Sequence, residues 1–211
     1  MESTQAPMNG RKAQAARNDE LIREAARAVF TADPGAPISA VAEHAGVGIS
    51  ALYRRYKSKE ELLQRLADEG MDRYLGLVEE ALEDRGDAWE AFASFMRRCL
   101  DIGAGSLTMR LAGSFPVTEE MSRKGQEIHA ATQRLLDRTK QAGALRADVA
   151  VGDVSVLLEH LHTIRIGDPE RMNRLQHRYL TLILDGLHMP DAEELPGPPP
   201  NWLELRGRYD G

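Results

Sequence analysis

Cations and aromatic side chains are concentrated in one short stretch of the sequence, GVGISALYRRYKSKEEL at residues 46–62. Between Ala45 and Lys59 there are four cations and no acid. Closely spaced cations neutralise phosphates and release counterions, which supplies much of a protein's affinity for nucleic acid. Two arginines on a helix are more often a solvated face, so the prediction of a polyanion site depends on the neighbouring signals described below.

The chain as a whole has the opposite charge. It has 211 residues and a formal net charge of −6. Residues 1–65 hold 10 Lys and Arg against 8 Asp and Glu, whereas the remainder holds 17 against 25. This asymmetry indicates one part that meets polyanions and another part that does not.

Composition limits the class of protein. A hydrophobic content of 42% is typical of a globular chain with a real core. No apolar run reaches the roughly 20 residues that span a bilayer, and no secretory signal precedes the first helix, so we expect a cytoplasmic protein.

The single cysteine, Cys99, cannot form an internal disulfide. His160 and His162 are two residues apart and point to different helix faces. We therefore expect no metal site, no cofactor, no catalytic residue and no enzymatic activity.

Apolar residues recur at helical spacing along almost the whole chain, and no strand alternation is present, which predicts an all-α fold. Asn18 is available to cap the first helix. After a break at residues 33–37, Ser39 can cap a short helix that Gly46 ends, and a second short helix follows at about residues 49–56. This order of short helix, glycine turn and short helix is a helix-turn-helix.

Longer helices follow the basic stretch. Ser58 and Glu61 form a capping-box pattern that predicts a helix ending near residues 83–87. Thr118 is expected to begin another helix, and Asp168 with Pro169 marks the start of the last one. The remaining apolar stripes predict helices at residues 89–100, 107–112 and 154–164.

In a helix-turn-helix, the second helix lies in the major groove with its first residues nearest the base edges. The residues expected to read bases are Gly48, Ile49, Ser50 and Ala51. Those expected along the phosphates are Tyr53, Arg54, Arg55, Lys57 and Lys59, with Ser39 as a further phosphate contact at the start of the preceding helix.

The segment ISAVAEHAGVGISALYRRYKSKEELL, residues 38–63, resembles the DNA-binding segment of the TetR (tetracycline-repressor-like) family. The residues that carry the resemblance are Ala42, Ala45, Gly46, Val47, Leu52, Tyr53, Tyr56, Lys59, Glu60 and Leu62. Ala25, Ala26 and Phe30 in the preceding helix are also similar. The resemblance implies a dimeric, ligand-responsive transcription factor, usually a repressor, in which Tyr53 and Lys59 hold phosphates.

Three positions depart from the pattern of that family. Gly48 stands where a small hydroxyl residue is common, Ser50 where glycine is frequent and Arg55 where histidine is usual. Gly48 offers no side-chain bond to a phosphate. Arg54 or Arg55 is therefore expected to make a larger share of the DNA contacts, or the protein recognises DNA shape instead.

The predicted domains are a disordered basic arm at 1–17, a helix-turn-helix DNA-binding domain at 18–57, a helical regulatory and dimerisation domain at 58–189, and a Pro-rich acidic tail at 190–211. The resemblance implies a small-molecule pocket in the larger domain. An arginine in an apolar pocket would suit an anionic ligand such as a carboxylate. The candidate residues are Trp89, Phe92, Phe95, Met96, Cys99, Arg110, His129, Thr132, His160 and Arg165. The apolar members of this set are equally consistent with an ordinary core.

The last two helices are apolar over wide faces, which predicts burial on more than one side. A second copy of the chain is the simplest partner. The residues expected at this interface are Leu157, Leu161, Ile164, Leu175, Tyr179, Leu182 and Ile183. Alternatively, the tail with Trp202 and Leu203 covers them.

The sequence therefore predicts a homodimeric repressor that binds an inverted-repeat operator in double-stranded DNA and is released by a small-molecule ligand. Two alternatives stay open. One is a protein-interaction module that has lost DNA binding. The other is a helical enzyme with a vestigial helix-turn-helix.

Overall fold

The structure is a computed structural model that describes residues 6–103, 114–188 and 192–207. These residues form nine helices and no strand, which confirms the predicted all-α class. In chain order the helices are α1 (Ala6–Ala32), α2 (Ile38–His44), α3 (Ile49–Arg55), α4 (Lys59–Glu83), α5 (Ala88–Asp101), α6 (Glu119–Gln141), α7 (Val151–His162), α8 (Pro169–Leu187) and α9 (Trp202–Gly207).

Among the described residues, no helix combines the length and the apolar character that crossing a bilayer requires.

The chain divides into two compact units. The first extends to Leu66 and includes Ser114–Pro116, and the second comprises the rest of the chain from Ala67. The boundary therefore falls inside α4 rather than at residue 58, where the sequence places it.

The first unit has a small core formed by α1, α2, α3 and the start of α4. Its buried side chains are Ile22, Ala25, Ala26, Phe30, Ile38, Val41, Ala42, Leu52, Tyr56, Leu62 and Leu63. The first helix begins at Ala6 and not at Asn18, so the segment predicted to be a disordered arm is helical from residue 6. Residues 6–17 contain four alanines, the strongest helix former, and the cap expected at Asn18 is an interior position.

The core of the second unit is built on α5. Its wide apolar face buries Phe92, Phe95, Met96, Cys99 and Leu100. Helices α4, α6, α7 and α8 add Leu77, Val78, Ala81, Ala131, Leu135, Leu136, Val154, Leu158, Leu161, Leu180, Leu184 and Leu187.

Side-chain caps fix several helix starts of the second unit. Thr118 accepts a hydrogen bond from Met121 N at 3.1 Å, and Asp168 accepts one from Arg171 N at 2.7 Å, as the sequence predicts. Two spans differ from the prediction. Helix α7 ends at His162, before Ile164, and α9 lies in the tail, for which no helix is predicted.

Candidate nucleic-acid interface

A tight turn at Gly46 joins α2 to α3. Gly46 has φ +65°, and its N–H donates to Glu43 O at 3.1 Å, while Val47 N donates to Ala42 O at 3.0 Å. This pair of hydrogen bonds satisfies the last carbonyls of α2 and requires a left-handed residue. A Cβ added to Gly46 would meet no atom within 4 Å. Backbone conformation, and not space, therefore demands glycine here.

Helix α3 has one buried side and one exposed side. Leu52 is fully buried and fixes the helix to the core of the first unit. On the other side Ile49, Ser50 and Tyr53 are exposed, and 48% of Tyr53 remains accessible. Ala51 is half-buried. Most of the predicted base-reading residues are thus accessible to a groove.

The start of α2 differs from the prediction. Pro37 is the N-cap in an extended conformation (ψ 152°), and no side chain bonds the first turn. Ser39 is the second residue of the helix, and its side chain is exposed. The predicted cap at Ser39 is therefore wrong, because Pro37 already occupies the capping position. A phosphate contact from Ser39 stays a prediction.

Asp19 on α1 accepts hydrogen bonds from three side chains. Arg55 donates from Nε to Oδ1 at 2.6 Å and from Nη2 to Oδ2 at 3.0 Å, and the buried Tyr56 hydroxyl donates to Oδ1 at 2.8 Å. Arg23, one turn along α1, also contacts Oδ2. Burial alone would raise the pKa of Asp19, but the bonds from Arg55 and Tyr56 and the charge of Arg23 outweigh burial and lower it to about 2. The sequence gives no signal for this cluster, since Asp19 lies 36 residues from Arg55.

The Asp19 cluster changes the interpretation of Arg55. Its guanidinium makes a two-bond fork with Asp19, so it fastens the end of α3 to α1. Its neighbours Arg54 and Lys57 are exposed cations on the same flank. All three side chains are exposed, but only Arg55 is also bonded to Asp19 and fastens α3 in place.

Lys59 also has structural contacts. Its Nζ donates to Pro34 O at 3.1 Å and to Ala36 O at 2.7 Å, and it lies 5.0 Å from the centre of the Phe30 ring. These bonds hold the connection between α1 and α2 against the start of α4. An ammonium has three donors, so a phosphate bond in the DNA complex stays compatible with these two.

The predicted cap at Ser58 is confirmed in part. Ser58 Oγ accepts from Glu61 N at 3.2 Å. The Glu61 carboxylate reaches back to Lys57 N at 2.7 Å, one residue before the position that a standard capping box uses. The first turn of α4 is thereby fixed beside the basic flank.

The interior of the second unit contains four of the predicted apolar pocket residues. Phe92, Phe95, Met96 and Cys99 are all buried within the core. Burial raises the pKa of the Cys99 thiol. These side chains are part of the core, which was the alternative left open by the sequence.

A pair of hydroxyls crosses this apolar interior. Thr132 Oγ1 lies 3.3 Å from the Tyr74 hydroxyl, and the Tyr74 ring packs edge-on against Phe95 with ring centres 5.4 Å apart. Burial is the main reason that the pKa of Tyr74 is raised. Tyr74 was missed by the sequence reasoning because it occupies an ordinary core position in the α4 stripe.

The other pocket candidates are dispersed. Trp89 stacks on His188 with ring centres 4.0 Å apart, and the half-buried His129 faces Trp202. His160 and Arg165 are exposed and bond nearby backbone carbonyls, so they do not reach the interior. Arg110 lies outside the described residues.

His162 is directed inward where His160 is not. Its ring nitrogens lie 2.7 Å from Leu158 O and 3.2 Å from Leu100 O, and burial lowers its pKa. In the part of the chain that the structure describes, no group of three or more His, Cys, Asp or Glu could hold a metal ion.

The predicted dimer residues divide into two groups. Leu161 and Leu175 are buried in the chain itself, and Leu157, Ile164 and Ile183 are partly buried against the same core. Tyr179 and Leu182 are exposed on α8, with 60% of Leu182 accessible. The two positions are three residues apart and lie on one face of the helix.

Comparisons with protein families identify both parts of the chain. Residues 22–66 match the family described as bacterial regulatory proteins, tetR family. Residues 86–189 match the SbtR-like C-terminal domain of transcriptional regulators. No curated protein matches the chain.

Solved structures are similar over most of the chain. The TetR transcriptional regulator SCO0520 from Streptomyces coelicolor is 26% identical, with 82% of this chain and 99% of that chain covered and a TM-score of 0.56. A TetR regulator from Mycobacterium vanbaalenii is 27% identical over 84% and 99%, with a TM-score of 0.57. LfrR from Mycobacterium smegmatis, solved in complex with proflavine, is 20% identical over 79% and 95%, with a TM-score of 0.56.

Proposed function

Because the chain belongs to the TetR family of DNA-binding transcriptional regulators, we propose that it is a homodimeric repressor which a small-molecule ligand releases from an inverted-repeat operator. Regulators of this family are transcription factors and not enzymes. The cytoplasm is the proposed location, since a DNA-binding regulator must reach the chromosome.

The exposed face of α3 is the observation that carries the proposed mode of DNA binding. Ile49, Ser50 and Tyr53 project from a helix whose opposite side is fixed by Leu52. Ile49 can contact a thymine methyl, and Ser50 can bond a base edge. Arg54 and Lys57 lie on the flank where the phosphates of the same groove would pass.

A homodimer is supported by the exposed apolar residues of α8. Tyr179 and Leu182 would be covered by the same residues of a second copy across a two-fold axis. Two reading helices held by one dimer would meet two half-sites on the same face of the DNA, which accounts for the proposed inverted repeat.

Release by a ligand is supported by the helix that enters both units. α4 contributes Leu62 to the core of the first unit and Tyr74 to the interior of the second unit. A ligand that binds more tightly when α4 is shifted would favour the state in which α3 no longer fits the groove. The related fold of LfrR is known with proflavine bound.

Selection of bound sequences from random duplex DNA tests the proposal. We expect the wild-type protein to enrich an inverted repeat, and we expect Tyr53→Ala/Arg54→Ala protein to lose it. Arg97→Ala, an exposed substitution on α5, is the matched control and should enrich the same sequence. Enrichment of a single unrepeated half-site would contradict the dimer, and identical enrichment by the double variant would contradict the assignment of α3.

A further inference from the structure

The described tail residues 192–207, here called the C-terminal strap, are bonded to the second unit near their beginning. Arg146 Nη2 donates to Glu193 O at 2.6 Å, and Leu195 N donates to Asp148 Oδ2 at 2.8 Å. Arg146 and Asp148 also bond each other at 2.7 and 2.9 Å, which fixes both groups in position. A Pro-rich segment with no anchor would be free in solution, so this pair gives the strap a defined path.

Gly152 on α7 lets the strap approach closely. The glycine is buried, and a Cβ at this position would overlap the Pro200 carbonyl oxygen. Its φ lies outside the left-handed region, so backbone conformation does not require glycine here. Close approach of the strap does require it.

The strap places the Trp202 ring in a site on α4 and α6, here called the indole site. A Cβ at Gly125 would lie 3.1 Å from Trp202 Cη2 and 3.7 Å from Met71 Cε. The ring of His129 lies 5.3 Å from that of Trp202, tilted by 59°. Met71, Gly125 and His129 therefore form a surface for one flat aromatic ring.

The indole site contains an unsatisfied polar atom. His129 Nδ1 is buried and has no hydrogen-bond partner within the described part of the chain. Trp202 covers the imidazole with a ring and does not provide a bond. Burying a polar nitrogen without a partner is unfavourable, so a molecule that bonded His129 Nδ1 would gain affinity over Trp202.

The indole site leads toward the interior. His129 and Thr132 are three residues apart on α6, as are Met71 and Tyr74 on α4, so each pair shares one helix face. Thr132 and Tyr74 meet through their hydroxyls. At the outer end, Lys124 bridges α6 to Asp72 of α4 at 2.5 Å. A ring at the indole site thus lies between the outer ion pair and the inner hydroxyl pair.

We propose that the indole site is the outer part of the effector site, and that Trp202 occupies it in place of a planar aromatic ligand bearing a hydrogen-bonding group for His129. The strap must leave for that ligand to bind. This inference rests on the proposed ligand-responsive function and names its ligand class and its gate.

Gly152→Ala tests the gate without removing any contact of the indole ring. The added methyl collides with Pro200. Alanine is favoured over glycine inside a helix, so the fold should be retained. Gly76→Ala on α4 is the matched control, because a Cβ there meets no atom within 4 Å. In a Trp89→Phe background Trp202 is the sole tryptophan. We expect its fluorescence emission to shift toward that of exposed indole in Gly152→Ala and not in Gly76→Ala.

Calorimetric titration with indole tests the site. We expect indole to bind Gly152→Ala and Trp202→Ala at least about tenfold more tightly than the wild type, in which Trp202 competes. Adding Gly125→Leu, which fills the site, should abolish this binding. If Trp202→Ala does not fold, the comparison of indole affinity between Gly152→Ala and wild type tests the inference by itself. Equal indole affinity in Gly152→Ala and wild type, or unchanged Trp202 emission, would overturn the inference.

The two proposals fail separately. Indole titration needs no DNA, so a failed operator selection would sink the repressor function and leave the indole result in place. Conversely, equal indole affinity in wild type and Gly152→Ala would overturn only the inference about the strap. The proposal that α3 recognises DNA would be unaffected.

Discussion

Asp19 bonds one cation of the basic stretch, Arg55, and leaves Arg54 unbonded to it. From α1 it binds Arg55 through two hydrogen bonds and Tyr56 through one, and these two residues lie at the end of α3. Arg54, the preceding residue, points away to solvent. Two arginines that are equivalent in the sequence therefore have different roles: one fastens α3 to α1, and the other is available for a phosphate.

Arg54→Ala and Arg55→Ala are expected to weaken operator binding for different reasons. Loss of a phosphate contact at Arg54 should lower the slope of log K against log salt by about one per contact, with little change in stability. Arg55→Ala should leave the slope unchanged and destabilise the first unit by about 1–2 kcal/mol, a range that allows for the partial exposure of the pair. Operator binding at several salt concentrations, together with urea unfolding, distinguishes the two explanations. A reduced salt slope in Arg55→Ala would show that Arg55 contacts a phosphate after all.

The Asp19 cluster also predicts the response to acid. The pKa of Asp19 is lowered to about 2, so the carboxylate contributes its full stability above its unfolded pKa near 4. This contribution should disappear as the pH falls from about 4 through 2. The Asp19→Asn variant lacks the stabilising contribution of the carboxylate at every pH. The difference in unfolding free energy between wild type and Asp19→Asn should therefore be constant at neutral pH and shrink below about pH 4, as measured by urea unfolding. A difference independent of pH would contradict the assignment.

At the scale of the helices, Gly46 and Gly48 lie two residues apart but differ in whether the backbone requires glycine. Gly46 ends α2 with φ +65°, whereas Gly48 caps α3 with φ −65° and ψ 138°, a conformation open to any residue. Neither position is crowded, since a Cβ at either would meet no atom within 4 Å. Only the first glycine is required by the turn. The second leaves α3 without a side-chain cap.

Gly46→Ser and Gly48→Ser form a matched pair. Serine at residue 46 must adopt the left-handed conformation, which should destabilise the chain by about 1–2 kcal/mol. Serine at residue 48 can accept a hydrogen bond from the first turn of α3 and restricts the unfolded chain, so it should stabilise by about 0.5 kcal/mol. Urea unfolding of both variants measures the effects, and a loss of stability in Gly48→Ser would show that the cap geometry of α3 does not admit a side chain.

At the scale of the whole molecule, the exposed apolar residues of α8 matter most. Leu161 and Leu175 are buried by the chain itself, so the wide apolar faces read from the sequence are largely accounted for by the core. Tyr179 and Leu182 are not covered by the described part of the chain. The strap does not cover them either, because both side chains are exposed with the strap in place.

Leu182→Glu is expected to dissociate the proposed dimer. A two-fold interface would bury two unpaired carboxylates, which should weaken dimerisation by at least about 100-fold. Leu21→Glu is the control, because Leu21 is an exposed leucine on α1, in the first unit. Sedimentation analysis should show a dimer for wild type and Leu21→Glu and a monomer for Leu182→Glu. Dimers in all three proteins would place the interface elsewhere.

The sequence by itself determined the structural features that depend only on residues close together in the chain. Helical spacing, the turn at Gly46 and the caps at Thr118 and Asp168 are local, because a helix start or a left-handed residue is stabilised within a few positions. Sequence alone therefore predicted the all-α class and the helix-turn-helix, whose residues are contiguous.

Tertiary structure alone decided the contacts between distant residues. Asp19 with Arg55, Tyr74 with Thr132, and Trp202 with His129 join positions that share no local pattern. Their partners are chosen by how the helices pack, and burial then sets which polar groups need a bond. The same packing decided that Leu161 is core while Leu182 is surface, although both occupy apolar stripes of equal appearance.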